Sequence, residues 1–196
     1  MTGAMKMPTW IGATYKSKMP RVLIVGESAY TNQYFKVTEN ANVDLIKDQI
    51  KNNREKAIRV MARVVSNSDD PEPNSFWNSV AFANFIAFDF GVGSKARPKK
   101  EQWQQSQPLF RSLLEELMPS PTHIVVFGKL TWRAMPEEDY NENEFLQGYR
   151  FRNGACAIAT FVNHPSSDRY GRFNLVAAQK HIQSFLPQSF SKIRWR

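Results

Sequence analysis

Four short apolar runs, separated by stretches of helical spacing, set the rhythm of the chain. Residues 21–26 (Arg-Val-Leu-Ile-Val-Gly), 80–88, 123–128 and 155–162 each hold consecutive aliphatic or aromatic residues with little polar alternation. Runs of this kind suit strands buried on both faces, as in a parallel sheet. Between them, residues 43–65 place Leu45, Ile46, Ile50, Ala57, Ile58, Met61 and Val65 near helical spacing, with lysines and arginines on the other face. A second helical stretch opens at Pro98 and runs to about Met118, and Pro108 must kink it or begin a new helix. Shorter helices are predicted at 75–79 and 129–135, and an amphipathic helix at 173–186 closes the pattern.

Strands alternating with helices predict one α/β domain over residues 21–190, with a four-stranded, mostly parallel sheet flanked by helices on both faces. Residues 1–20 read as a basic, irregular arm lying over the domain or over DNA. Residues 67–74 and 91–100 read as loops, 137–147 as a polar surface excursion and 191–196 as a basic tail. Gly26 is expected to turn the backbone out of the first strand, which would put Glu27, Ser28, Ala29 and Tyr30 in the loop where open α/β sheets bind ligands.

Composition narrows the function classes. The chain has 196 residues, 42% hydrophobic and 13% aromatic, and a net charge of +8. That excludes a disordered chain and favours a polyanionic partner, because clustered lysine and arginine supply affinity for phosphate backbones. No run has membrane-spanning length and no cleavable signal pattern is present, so the expectation is a cytoplasmic protein with no membrane partner, acting as a monomer. The single cysteine, Cys156, excludes an intrachain disulfide and a four-cysteine cluster. It reads as an inert buried thiol. No metal-ligand spacing is evident, and neither a metal nor another cofactor is expected.

Three loops at strand ends carry the candidate chemistry: residues 26–30, Asn84 within the second run, and Asn163-His164-Pro165-Ser166-Ser167 after the fourth. Their order and spacing resemble the uracil-DNA glycosylase superfamily over residues 21–186. Members have a parallel four-stranded sheet between helices. A water-activating loop follows the first strand, a base-reading asparagine lies on the second, and a His-Pro-Ser loop follows the fourth. Classical members read Gly-Gln-Asp-Pro-Tyr in the first loop and the iron–sulfur branch reads Gly-Glu-x-Pro-Gly, against Gly26-Glu27-Ser28-Ala29-Tyr30 here. Ser28 thus stands at the classical aspartate and Ala29 at the family proline. A group of uncharacterised bacterial glycosylase-like proteins is similar in three places: a Gly-Glu-Ser-His-Tyr loop, a Phe-Trp-Asn helix (Phe76-Trp77-Asn78 here) and a His-Pro-Ser-Ser loop.

The resemblance implies a DNA glycosylase that flips out and excises uracil or a modified base from single- or double-stranded DNA. Glu27 and His164 would be catalytic, as general base for the attacking water and as donor to the departing base. Gly26, Tyr30, Phe35 and Asn84 would form the base pocket, with Tyr30 excluding thymine, Phe35 stacking and Asn84 reading the Watson–Crick edge. Asn78 is a weaker candidate for that last role. Ser166, Ser167 and Lys129 would hold DNA phosphates, and Arg169 or Tyr170 would fill the vacated stack. His123 and His181 are expected to be structural. Two other outcomes are compatible with the same residues: a member that binds nucleic acid or a nucleotide without turnover, and an enzyme excising a bulky modified pyrimidine in phage defence.

Overall fold

Val22 and Ile24 pack into one apolar layer and Leu23 and Val25 into another, so successive residues of the first run are buried on opposite faces. The computed structural model describes residues 7–29, 37–86 and 98–187, with the backbone alone for 141–143 and 168–170. Among these residues one sheet holds seven strands: β1 (Trp10–Ile11), β2 (Val22–Ser28), β3 (Ala81–Ile86), β4 (His123–Phe127), β5 (Tyr140–Asn143), β6 (Leu146–Arg150) and β7 (Cys156–Val162). Their order is β1-β3-β2-β4-β7-β6-β5. The inner four, β3-β2-β4-β7, are mutually parallel, whereas β1, β6 and β5 add on antiparallel.

The four-stranded expectation therefore covers the parallel core but not the sheet. Residues 7–20, expected to be irregular, supply β1, a 3-10 turn at Tyr15–Ser17 and the fully buried Tyr15 ring. This arm lies over the domain: Gly12 N donates to Val80 O, and Thr14 N and Oγ1 both donate to Asn78 O. Asn78 Oδ1 accepts from Ala13 N, so Asn78 anchors the arm. The polar excursion at 137–147 is a hairpin, continued by Tyr149, which is fully buried with its hydroxyl on Gln147 Oε1 at 2.8 Å. Cys156, expected to be buried, is half-buried at the start of β7.

Among the described residues six α-helices cover the sheet. The α1 (Ala41–Asn52), α2 (Lys56–Ser66), α3 (Pro73–Ser79) and α6 (Leu175–Phe185) helices bury Ile46, Met61, Trp77 and Ile182 on one face. The α4 (Lys100–Glu116) and α5 (Lys129–Ala134) helices bury Phe110, Leu114 and Trp132 on the other. The single helix expected over 43–65 is two, because Asn53 adopts a left-handed φ of 50° and the buried Gln49 accepts Glu55 N across the break. Asparagine tolerates that conformation better than most residues. Pro108 lies within one continuous α4.

His123 and His181 both sit in packed surroundings. His123 Nδ1 is 3.0 Å from Thr122 Oγ1 and its ring meets Phe185 edge-on. His181 Nε2 is 2.9 Å from Thr160 Oγ1, and burial pulls its pKa below the usual 6.5. Among the described residues no helix is long and apolar enough to cross a membrane.

Candidate functional site

Four parallel strands end at the same edge of the sheet, and the loops that leave that edge are where ligands bind in open α/β folds. The carboxyl ends of β3, β2, β4 and β7 bring Asn84, Gly26–Ser28, Gly128 and His164 to that edge.

Gly26 does not turn the chain. The strand runs on to Ser28, with Gly26 paired to Asn84 and Ser28 to Ile86, which corrects the expectation of a loop from Glu27 onward. Glycine serves closeness here: a Cβ at position 26 would lie 2.5 Å from Asn84 Oδ1, so any side chain there would have to displace that amide. The conformational argument belongs instead to Gly128, whose φ of +119° turns β4 into α5.

Asn84 is 5% exposed, and its amide is fixed by Asn42, which the sequence pattern did not single out. Asn42 is fully buried on α1, and its Oδ1 accepts from Asn84 N at 3.0 Å and from Asn84 Nδ2 at 2.9 Å. A backbone N–H can only donate, so the Asn42 atom facing it must be oxygen. The Asn84 atom facing that same oxygen must then be its NH₂ group. Asn42 Nδ2 donates to Pro8 O at 3.3 Å, which agrees with that orientation. Asn84 is left with Oδ1 and one amide hydrogen for other partners. A signal for Asn42 was present: it precedes Leu45 by three and Ile46 by four, on the apolar face of its helix.

Glu27 and Ser28 follow Gly26, both half-buried. Among the described residues, Ser28 Oγ is buried with no hydrogen-bond partner. A buried hydroxyl in that state carries a penalty of about 1–3 kcal/mol that an incoming polar group would relieve. Tyr30 and Phe35 lie outside the described residues.

Across β4, the other half of the edge is built around His164. Gly128 N donates to Val162 O at 2.8 Å, and the Cβ that Gly128 lacks would sit 3.6 Å from His164 Cβ. Pro165 opens a 3-10 helix through Tyr170, and this tight turn folds two serines back onto the histidine. Ser166 N donates to His164 Nδ1 at 3.1 Å, with Ser166 Oγ 2.8 Å from the same nitrogen. Ser167 N and Oγ both donate to His164 O, at 2.9 and 2.6 Å. Because Nδ1 accepts from a backbone N–H, the ring is neutral with its proton on Nε2. Ser166 is exposed, Ser167 and His164 half-buried, and the Arg169 and Tyr170 side chains are outside the described residues.

The two halves are separated by one strand. With neighbouring strands about 4.8 Å apart, β2 lies about 10 Å from β7, and β3, which carries Asn84, about 14 Å from it. Lys129 is exposed at the start of α5 on the His164 side. Among the described residues no three His, Cys, Asp or Glu side chains are grouped to hold a metal ion. Compared with known proteins, the chain matches no family model and no curated protein.

Proposed function

We propose that this chain is a DNA glycosylase that everts uracil or a modified base and hydrolyses its glycosidic bond. The observation that carries the reading is the fixed amide of Asn84 at the same sheet edge as His164, whose Nδ1 accepts from Ser166 N. Asn84 Oδ1 accepts N3–H of uracil and the remaining Nδ2 hydrogen is donated to O4, a pattern cytosine does not match. Departure of the base breaks the C1′–N1 bond and leaves negative charge on the base, which His164 Nε2–H stabilises at O2. Glu27 takes a proton from the water whose oxygen bonds to C1′. Ser166 and Ser167, with the basic Lys129, hold the phosphates on either side, and Arg169 or Tyr170 fills the vacated stack in the way the resemblance implies. Tyr30 and Phe35 shape the pocket in the way the resemblance implies.

The test is an abasic-site assay on labelled strands carrying uracil, hypoxanthine, xanthine or a 5-substituted pyrimidine. Alkali-labile breaks with any of them are expected, and E27Q should lose most turnover while keeping DNA affinity. An E27Q variant as active as the wild type would remove the water-activating role.

One observation favours a second reading, in which the site binds nucleic acid or a nucleotide without turnover. Ser28 occupies the position of the classical aspartate, and a hydroxyl cannot take a proton from water at neutral pH. Silence across the substrate panel, with salt-sensitive DNA binding retained, would support that reading instead.

A further inference from the structure

Beside the His164 loop lies a groove of about 410 Å³, lined in part by Lys129, Phe145, Phe161, Asn163, Arg172 and Phe173. We propose that this groove is a second nucleic-acid subsite, which stacks an unpaired base of single-stranded DNA next to the nucleotide held at the strand edge. Only the position of that second nucleotide rests on the base-excision reading.

The groove is built around a pile of rings. Phe161 stacks on Trp132 with centroids 5.2 Å apart and planes 24° apart, and Phe145 stacks on Phe161 at 5.8 Å and 11°. Trp132 is 5% exposed, whereas Phe145 is 49% exposed. The turn that carries Phe145 is held from two sides: Trp132 Nε1 donates to Glu144 O at 2.9 Å, and Thr160 Oγ1 donates to Phe145 O at 2.8 Å. A single exposed phenylalanine is ordinary on a protein surface. One backed by two parallel rings and pinned through its own and its neighbour's carbonyl is a rigid platform.

What the platform takes follows from the charges beside it. Lys129 and Arg172 are exposed cations on the same groove, within a chain of net charge +8. Flat aromatic faces flanked by cations match a flat base attached to a phosphate. In a duplex each base already stacks on its neighbours and pairs across the helix. Only an unpaired base can turn a face to Phe145, so the preferred ligand is a single strand. Continuity with the edge is direct. Asn163 precedes His164 and its Nδ2 donates to Arg172 O at 2.7 Å, while Lys129 follows Gly128 beneath the histidine.

The experiment measures binding of the full chain to a short, undamaged single strand and to its duplex, by fluorescence anisotropy. A parallel series carries 2-aminopurine, whose emission is quenched by stacking. The wild type should favour the single strand and quench the probe. F145A should lose about five- to a hundred-fold in single-strand affinity, the worth of one stacked base, and restore emission while duplex binding stays put. F145W should retain both. An unchanged melting temperature for F145A separates this from loss of folding. Equal single-strand affinity in F145A, an unquenched probe in the wild type, or saturation by a mononucleotide with no gain from a longer strand would each overturn the subsite. None of these measurements requires excision. Stacking without excision would therefore sink the glycosylase reading alone, and excision without Phe145-dependent stacking would sink the subsite alone.

Discussion

The Oδ1 of Asn42 accepts both the backbone N–H and the side-chain NH₂ of Asn84, so one buried oxygen sets the position and the orientation of the amide at the sheet edge. Removing it strands two donors in a site with little water. N42A should therefore destabilise the fold by about 1–3 kcal/mol for each donor left without a partner. In an N84A background the side-chain donor is already gone, so N42A should lose less there than in the wild type. Urea unfolding of the single and double variants checks this; equal losses would mean the Asn42–Asn84 bond is not what matters.

Gly26 and Asn84 should behave as a coupled pair. A Cβ at position 26 would meet Asn84 Oδ1 at 2.5 Å, so G26A must push the amide off Asn42. Shortening residue 84 removes the obstacle. In a double-mutant cycle, G26A with N84A should be less destabilising than the sum of the singles, by about 0.5–3 kcal/mol. Strict additivity in chemical denaturation would contradict the close approach.

The tautomer of His164 is open to direct observation. With Nδ1 accepting from Ser166 N, two-bond ¹H–¹⁵N spectra at neutral pH should show Nε2 carrying the proton and Nδ1 bare. A protonated Nδ1 would remove the basis for assigning Nε2–H as the donor.

Burial holds the His181 pKa below 6.5, the value of an unconstrained imidazole. The unfolded chain then binds a proton at a higher pH than the folded one. Stability contributed by the neutral ring is complete above pH 6.5 and falls as the pH drops from there through the folded pKa. H181Q should flatten that part of the stability–pH curve. The same acid slope in H181Q would place its origin elsewhere.

Pro108 lies inside α4, where it offers no N–H to the carbonyl four residues earlier and its ring crowds that carbonyl. The residue is exposed, so its replacement costs no packing. P108A should raise stability, by up to about 3 kcal/mol, read as a higher urea midpoint with an unchanged slope. A lower midpoint would show that the proline is held by something other than the helix it interrupts.

The parallel core was legible because β2, β3, β4 and β7 are covered on both faces and so are written as unbroken apolar runs. The edge strands left no such trace. The β1 strand has two residues, and β5 forms the opposite edge of the sheet, where Tyr140–Asn143 is almost wholly polar and reads as loop. The break between α1 and α2 depends on a left-handed Asn53 and on the reach of Gln49, neither of which disturbs helical spacing. At the strand edge, Asn84 stood out as a lone amide among apolar neighbours. Asn42 did not, because an asparagine near a helix start is also what a cap looks like. Phe145 went unnoticed for a related reason: the Phe161 ring it stacks on lies 16 positions away, and Trp132 behind that ring lies on another element again.

The narrow gap between positions 26 and 84 also constrains how this protein can change over generations. A side chain gained at 26 is tolerable only after residue 84 has shrunk, and a shorter residue at 84 forfeits the amide that Asn42 orients. Descendants that keep the amide are bound to keep the glycine. If the base-excision reading holds, lineages in which 26 has drifted to a larger residue should be those whose residue 84 no longer reads a base, and the two positions together would mark that loss in a genome before any assay is run.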